Sequence, residues 1–146
     1  MTAERSASST PAEKPTVVAA EGSSLKLALE CARAAIDKKA ENLKVLDLTE
    51  LSGFTDYFVI CSGTSDKQVQ AIADSVETFM RQQNVRALSA EGYRDGRWVL
   101  MDFGDIVVHV FLDALRDYYD LERLWSEAPR VKIPSEFYGP AGSRVN

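Results

Sequence analysis

Arg97-Trp98-Val99-Leu100-Met101-Asp102 and Asp105-Ile106-Val107-Val108-His109-Val110-Phe111 are two strand-like runs separated by Phe103-Gly104. A two-residue connection containing glycine predicts an antiparallel hairpin. Glu91-Gly92 precedes the hairpin, and Tyr118-Tyr119-Asp120-Leu121-Glu122-Arg123-Leu124-Trp125 follows it as an aromatic-rich helix. No nucleophile–base pair, metal cluster or phosphate loop accompanies these residues. Their chemistry suits contact with another protein better than a reaction.

Upstream, helical and extended patterns alternate. Leu25, Leu29, Ala32 and Ile36 recur at helical spacing, which predicts a first helix over about Ser24 to Ala40 with Asn42 as an end signal. Val45-Leu46-Asp47-Leu48 reads as a short strand, and Ser52-Gly53 breaks the pattern. Tyr57-Phe58-Val59-Ile60-Cys61 is apolar on both faces, as a central strand must be. Ser65 and Gln68 form a capping-box pair ahead of the stripe Val69, Ile72, Ala73, Val76, Phe79 and Met80. Asn84 stops that second helix, and Val85 to Leu88 reads as an edge strand. A strand–helix–strand crossover followed by a hairpin implies one α/β domain, a mixed sheet flanked by helices. The boundaries expected are a disordered tail over 1–22, the domain over 23–128 and an extended tail over 129–146. In the last segment Val131, Ile133, Phe137 and Tyr138 are available to pack against the domain or a partner.

The chain of 146 residues is 45% hydrophobic and 27% charged, with a formal net charge of -5. These values fit one ordinary globular domain. Excess negative charge argues against generic binding to nucleic acid, but it favours attraction to a basic protein. Cys31 and Cys61 fall in a helix and a buried strand and read as small apolar packers in a reducing compartment. No basic patch followed by an apolar segment opens the chain, and no apolar run has membrane-spanning length, so the cytoplasm is expected.

Three features invite a chemical reading. Asp102-Phe103-Gly104 copies the magnesium-binding tripeptide of protein kinases, but no glycine-rich or His-Arg-Asp loop accompanies it, and a hairpin turn explains it. Ser62-Gly63-Thr64-Ser65, between strand and helix, looks like the entry of a nucleotidyltransferase site. Such an enzyme needs paired carboxylates for two metal ions, and only Asp66, Asp74 and Glu77 follow, all on the helix. His109, the only histidine, lies in an apolar strand and reads as packed and hydrogen-bonded. No catalytic residue, cofactor or metal is expected. Leu121, Leu124 and Trp125 of the last helix are assigned to the core, while the aromatics Trp98, Phe103 and Tyr119 stand open between core and interface.

In order along residues 24–128 stand Thr55-Asp56, Gly63-Thr64-Ser65, Ile72-Ala73-Asp74, Glu91-Gly92, Trp98, Gly104-Asp105, Val108-His109-Val110 and Tyr119-x-Leu121-Glu122-x-Leu124-Trp125. This series resembles the ribosomal silencing factor family, also called RsfS or Iojap. The resemblance implies a nucleotidyltransferase-like topology without catalysis. It implies binding to the large ribosomal subunit through ribosomal protein number fourteen, which blocks joining of the small subunit and holds translation down when nutrients are scarce. It assigns partner contacts to Trp98, Phe103 and Tyr119, Phe103 standing where the family often has Leu or Tyr. It further implies a homodimer, for which the edge near Val85 is a candidate. Both tails fall outside the pattern of the resemblance. A biogenesis factor for the large subunit, or a metal-dependent nucleotidyltransferase, are the alternative functions.

Overall fold

In a computed structural model, which describes residues 17–139, the apolar run Tyr57-Phe58-Val59-Ile60-Cys61 lies in β2 (Tyr57–Gly63), buried at every position. It pairs in parallel with β5 (Ile106–Leu112), and these two strands carry helices or loops on both faces. β1 (Glu41–Asp47) pairs antiparallel to β2, while β4 (Trp98–Asp102) and β3 (Ser89–Glu91) extend the other side antiparallel, giving the order β1-β2-β5-β4-β3. The mixed α/β sheet expected from the sequence is therefore the fold.

Two helices cover one face. From α1 (Val17–Ile36) come Ala28, Cys31, Ala32 and Ala35, and from α2 (Asp66–Gln82) come Val69, Ile72, Ala73, Val76 and Met80. Small residues on α1 let it lie close to the sheet. The helix begins at Val17, seven residues before the start expected at Ser24. The expected tail therefore overlaps it, and residues 1–16 lie outside the described part.

The ends of both helices follow one design. At α1, Ala40 N–H donates to Ala35 C=O and Lys39 N–H to Ile36 C=O, with Lys39 at φ 66. At α2, Val85 N–H donates to Met80 C=O and Asn84 N–H to Arg81 C=O, with Asn84 at φ 63. Both are Schellman closures. Asn84 ends its helix as expected. Asn42 does not end α1: it takes φ 50 inside β1, where the register with β2 shifts. The edge strand also falls later than Val85–Leu88, with Leu88 N–H donating to Asp102 C=O just ahead of β3.

The hairpin register pairs Trp98 with Phe111 and Asp102 with Val107. Continuing it, Phe103 N–H donates to Ile106 C=O at 2.8 Å, so the turn residues are Gly104-Asp105 and not Phe103-Gly104. Gly104 has φ +92, and Asp102 Oδ1 accepts its N–H at 2.8 Å. Glycine at the first turn position is what a type II′ turn demands.

The aromatic helix after β5 is two helices. α3 (Asp113–Tyr119) ends at Asp120 in the left-handed conformation (φ 49), and α4 (Leu121–Leu124) leaves in a new direction. That bend lays Leu121, Trp125 and Ala128 on the second sheet face, against Leu46, Phe58, Ile60, Val107 and Phe111. Leu124 is 74% exposed, contrary to its assignment to the core. The chain then runs along β1: Pro129 C=O accepts from Asp47 N–H and Val131 N–H donates to Val45 C=O. Val131 and Ile133 pack against the helix-side core, and a 3-10 turn (Ser135–Tyr138) places Phe137 under the Arg33 guanidinium at 5.2 Å.

Candidate partner-docking face

Period-two alternation along β4 sends Trp98 and Leu100 to the second face and Val99 and Met101 to the helices. On β5, His109 and Phe111 share the face of Trp98. The Trp98 indole stacks on Phe111 with centroids 4.9 Å apart, and Tyr119 closes over it from α3 at 4.6 Å. Trp98 is half-buried and Tyr119 is 42% exposed. Two of the three expected contact residues thus meet at one place.

Phe103 does not join them. It is 8% exposed and belongs to the helix-side core with Val99 and Met101. The physical reason is the turn one residue later than expected. Phe103 becomes the last paired position of the strand, and its parity points it away from Trp98. Its expected place on the contact surface is corrected accordingly.

The position of Tyr119 depends on a buried cation. Arg116, 5% exposed, donates from Nη1 to Ser62 Oγ at 2.9 Å and from Nη2 to Glu122 Oε2 at 2.8 Å. These bonds tie α3 to β2 and to the start of α4. Burial raises the Glu122 carboxyl, but the hydrogen bond and charge of Arg116, with Lys44 3.9 Å away, outweigh it and hold the group below its ordinary value. Nothing in the sequence marked Arg116, because arginine on a short helix is ordinarily solvated.

The surface continues past the expected residues. Tyr118 (78% exposed) lies edge-on to Tyr119 at 5.1 Å, and Phe54 (65% exposed) stands 6.4 Å from Trp125. Phe54 sits in an irregular loop where no periodicity announces a face. Tyr118 thus adjoins the face at Tyr119, and Phe54 adjoins Trp125 just after α4.

The other candidates resolve differently. At the start of α2, Gln68 Oε1 accepts from Thr64 N–H at 2.6 Å and from Thr64 Oγ1 at 2.9 Å, while Ser65 Oγ accepts from Gln68 N–H. The Gln68 amide donates onward to the Lys38 and Lys39 carbonyls. The capping box is thus half as expected: Ser65 caps, but Gln68 joins the preceding residue to the end of α1. Asp74 accepts from Tyr93 Oη at 3.0 Å. Among the described residues no group of three or more His, Cys, Asp or Glu is placed to hold a metal ion. Burial pushes the thiols of Cys31 and Cys61 up to about 12, so neither is a thiolate at neutral pH. No described helix is long and apolar enough to cross a membrane.

The family model for a ribosomal silencing factor during starvation matches residues 21–144. The match takes in most of the segment after residue 128, which the resemblance had left outside. A ribosomal silencing factor of Bacillus subtilis is 48% identical over 102 residues, 70% of this chain and 86% of that one. A crystal structure of a Chromobacterium violaceum protein superposes with a TM-score of 0.66 at 38% identity, covering 84% of this chain and 95% of the other. A mouse protein named for mitochondrial assembly of the ribosomal large subunit is 32% identical over 92 residues, 61% of this chain and 40% of the mouse protein.

Proposed function

This chain belongs to the ribosomal silencing factor family, and on that premise we propose that it docks on the large ribosomal subunit and blocks joining of the small one. The receptor is ribosomal protein number fourteen, and the contact is the face built by Trp98 and Tyr119. The observation that carries this reading is the ring pair of half-buried Trp98 and 42%-exposed Tyr119, centroids 4.6 Å apart on the sheet face opposite α1 and α2. Rigid aromatics of this kind dominate protein–protein contacts because each removes a large area from water at little entropic cost. The net charge of -5 favours encounter with a basic ribosomal protein.

Silencing by this route is occupancy and needs no turnover. Inhibition of subunit joining, followed by light scattering, is expected to saturate when protein equals large subunits and to need no nucleotide. Inhibition at substoichiometric amounts that depends on ATP would overturn it. The name of the mouse relative favours a second reading, in which the same face serves assembly of the large subunit. Sedimentation of cell extract separates the two. A silencing factor follows mature large subunits, and an assembly factor follows precursor particles.

A further inference from the structure

Trp98 gives its indole N–H to a buried acceptor. Nε1 lies 3.2 Å from Nδ1 of His109 across the β4–β5 ladder. An indole nitrogen only donates, so Nδ1 must accept, and the neutral imidazole carries its proton on Nε2. Burial works in the same direction and pushes His109 down to about 4. The groups around the ring are uncharged: Phe58 at 4.7 Å, Trp98 at 6.1 Å and Phe111 at 6.2 Å, with Ile60 and Leu100 beside it in the sheet.

The Nε2–H has no partner among the described residues, and His109 is 4% exposed. A buried donor without an acceptor costs free energy that valine or leucine at this strand position would not. Packing alone therefore does not account for an imidazole here. What the imidazole adds is one directional acceptor. Phe111, stacked on the indole, and Tyr119, tilted against it, confine its plane, but ring packing of this kind lets the indole turn with little penalty. A hydrogen bond at Nε1 fixes that rotation.

We propose that His109 is a positioning residue, whose Nδ1 locks the Trp98 indole in the orientation that meets the ribosomal partner. The inference rests on the docking reading above. A ring held before encounter loses less side-chain freedom on binding, so the lock acts on affinity without touching the partner.

The test compares the intact chain with His109→Leu, which keeps an apolar filler and removes the acceptor, and with His109→Asn, whose Oδ1 can stand where Nδ1 stood. Indole N–H exchange is read by NMR, the two tryptophan signals being assigned with Trp125→Phe, and affinity is measured for isolated ribosomal protein fourteen. The expected result is faster Trp98 N–H exchange in His109→Leu, with affinity about fivefold weaker, the worth of one ordinary hydrogen bond. His109→Asn is expected to restore both. Unchanged exchange and affinity in His109→Leu, or no recovery in His109→Asn, would overturn the proposal. If Trp98→Ala binds as well as the parent, the docking reading fails and this one with it. If Trp98→Ala loses affinity while His109→Leu does not, the positioning role alone fails.

Discussion

His109 makes the domain sensitive to mild acid. Its folded-state pKa, about 4, lies below the ordinary 6.5 because burial penalises the imidazolium. Above pH 6.5 the residue is neutral folded and unfolded, and stability is complete. As pH falls toward 4 the unfolded chain takes up a proton that the folded chain refuses, so stability declines. The expected loss is about 2 kcal/mol between pH 7 and pH 5. Urea melts at the two pH values should show it, and His109→Leu should flatten the difference. Trp98→Ala belongs to the same scale. It is expected to weaken partner binding by about 2 kcal/mol, roughly thirtyfold, and to leave the fold standing, because the indole is only half-buried. An unfolded variant in circular dichroism would return Trp98 to the core. Gly92 is the residue this geometry spares least. It has φ +86, and a Cβ there would sit 2.0 Å from the Trp98 carbonyl oxygen. Gly92→Ala must move the backbone at Trp98, with an expected cost of about 2 kcal/mol or more, visible in thermal melts.

At the level of elements, the two helices and the two central strands were legible because their patterns are strong. The α2 stripe fills one helical face, and β2 and β5 are apolar at nearly every position. Failures came where one residue shifts everything. Both Phe103-Gly104 and Gly104-Asp105 offer a glycine turn, and only the register decides between them. That single step carried Phe103 from the expected contact surface into the core. The break at Asp120 was hidden for a similar reason, since aspartate in the left-handed region carries no signature that distinguishes it from aspartate in a helix. Trp98 and Tyr119 stood open between core and interface on the residues alone, and only the family resemblance singled them out together; strand parity and the fold of α3 are what bring their rings to 4.6 Å. The cap on α2 supplies the prediction here. Ser65→Ala removes the acceptor for Gln68 N–H and is expected to cost about 1 kcal/mol in denaturant melts, with partner binding unchanged.

Over the whole molecule, the segment after residue 128 joins layers that the sequence reading left apart. It pairs along the edge of β1, fills part of the helix-side core through Val131 and Ile133, and reaches α1 through Phe137. The sequence disguised this, because proline and glycine suggest a solvated tail, while Val131, Ile133, Phe137 and Tyr138 among them gave the opposing signal. Deleting residues 129–146 is expected to destabilise the domain by about 2 kcal/mol or more, from two partly buried aliphatic side chains and the backbone bonds to β1. A thermal melt unchanged by the deletion would mean that the segment only rests on the surface.

The same segment fixes how this sheet can meet another. Along β1, residues 129–131 already occupy the pairing groups of Val45 and Asp47, and the register with β2 shifts between Glu41 and Lys44. On the opposite side, β3 presents only Ser89 to Glu91. Among the described residues, strand addition of the kind that threatens open sheets has one short margin to start from and a largely covered one on the other side.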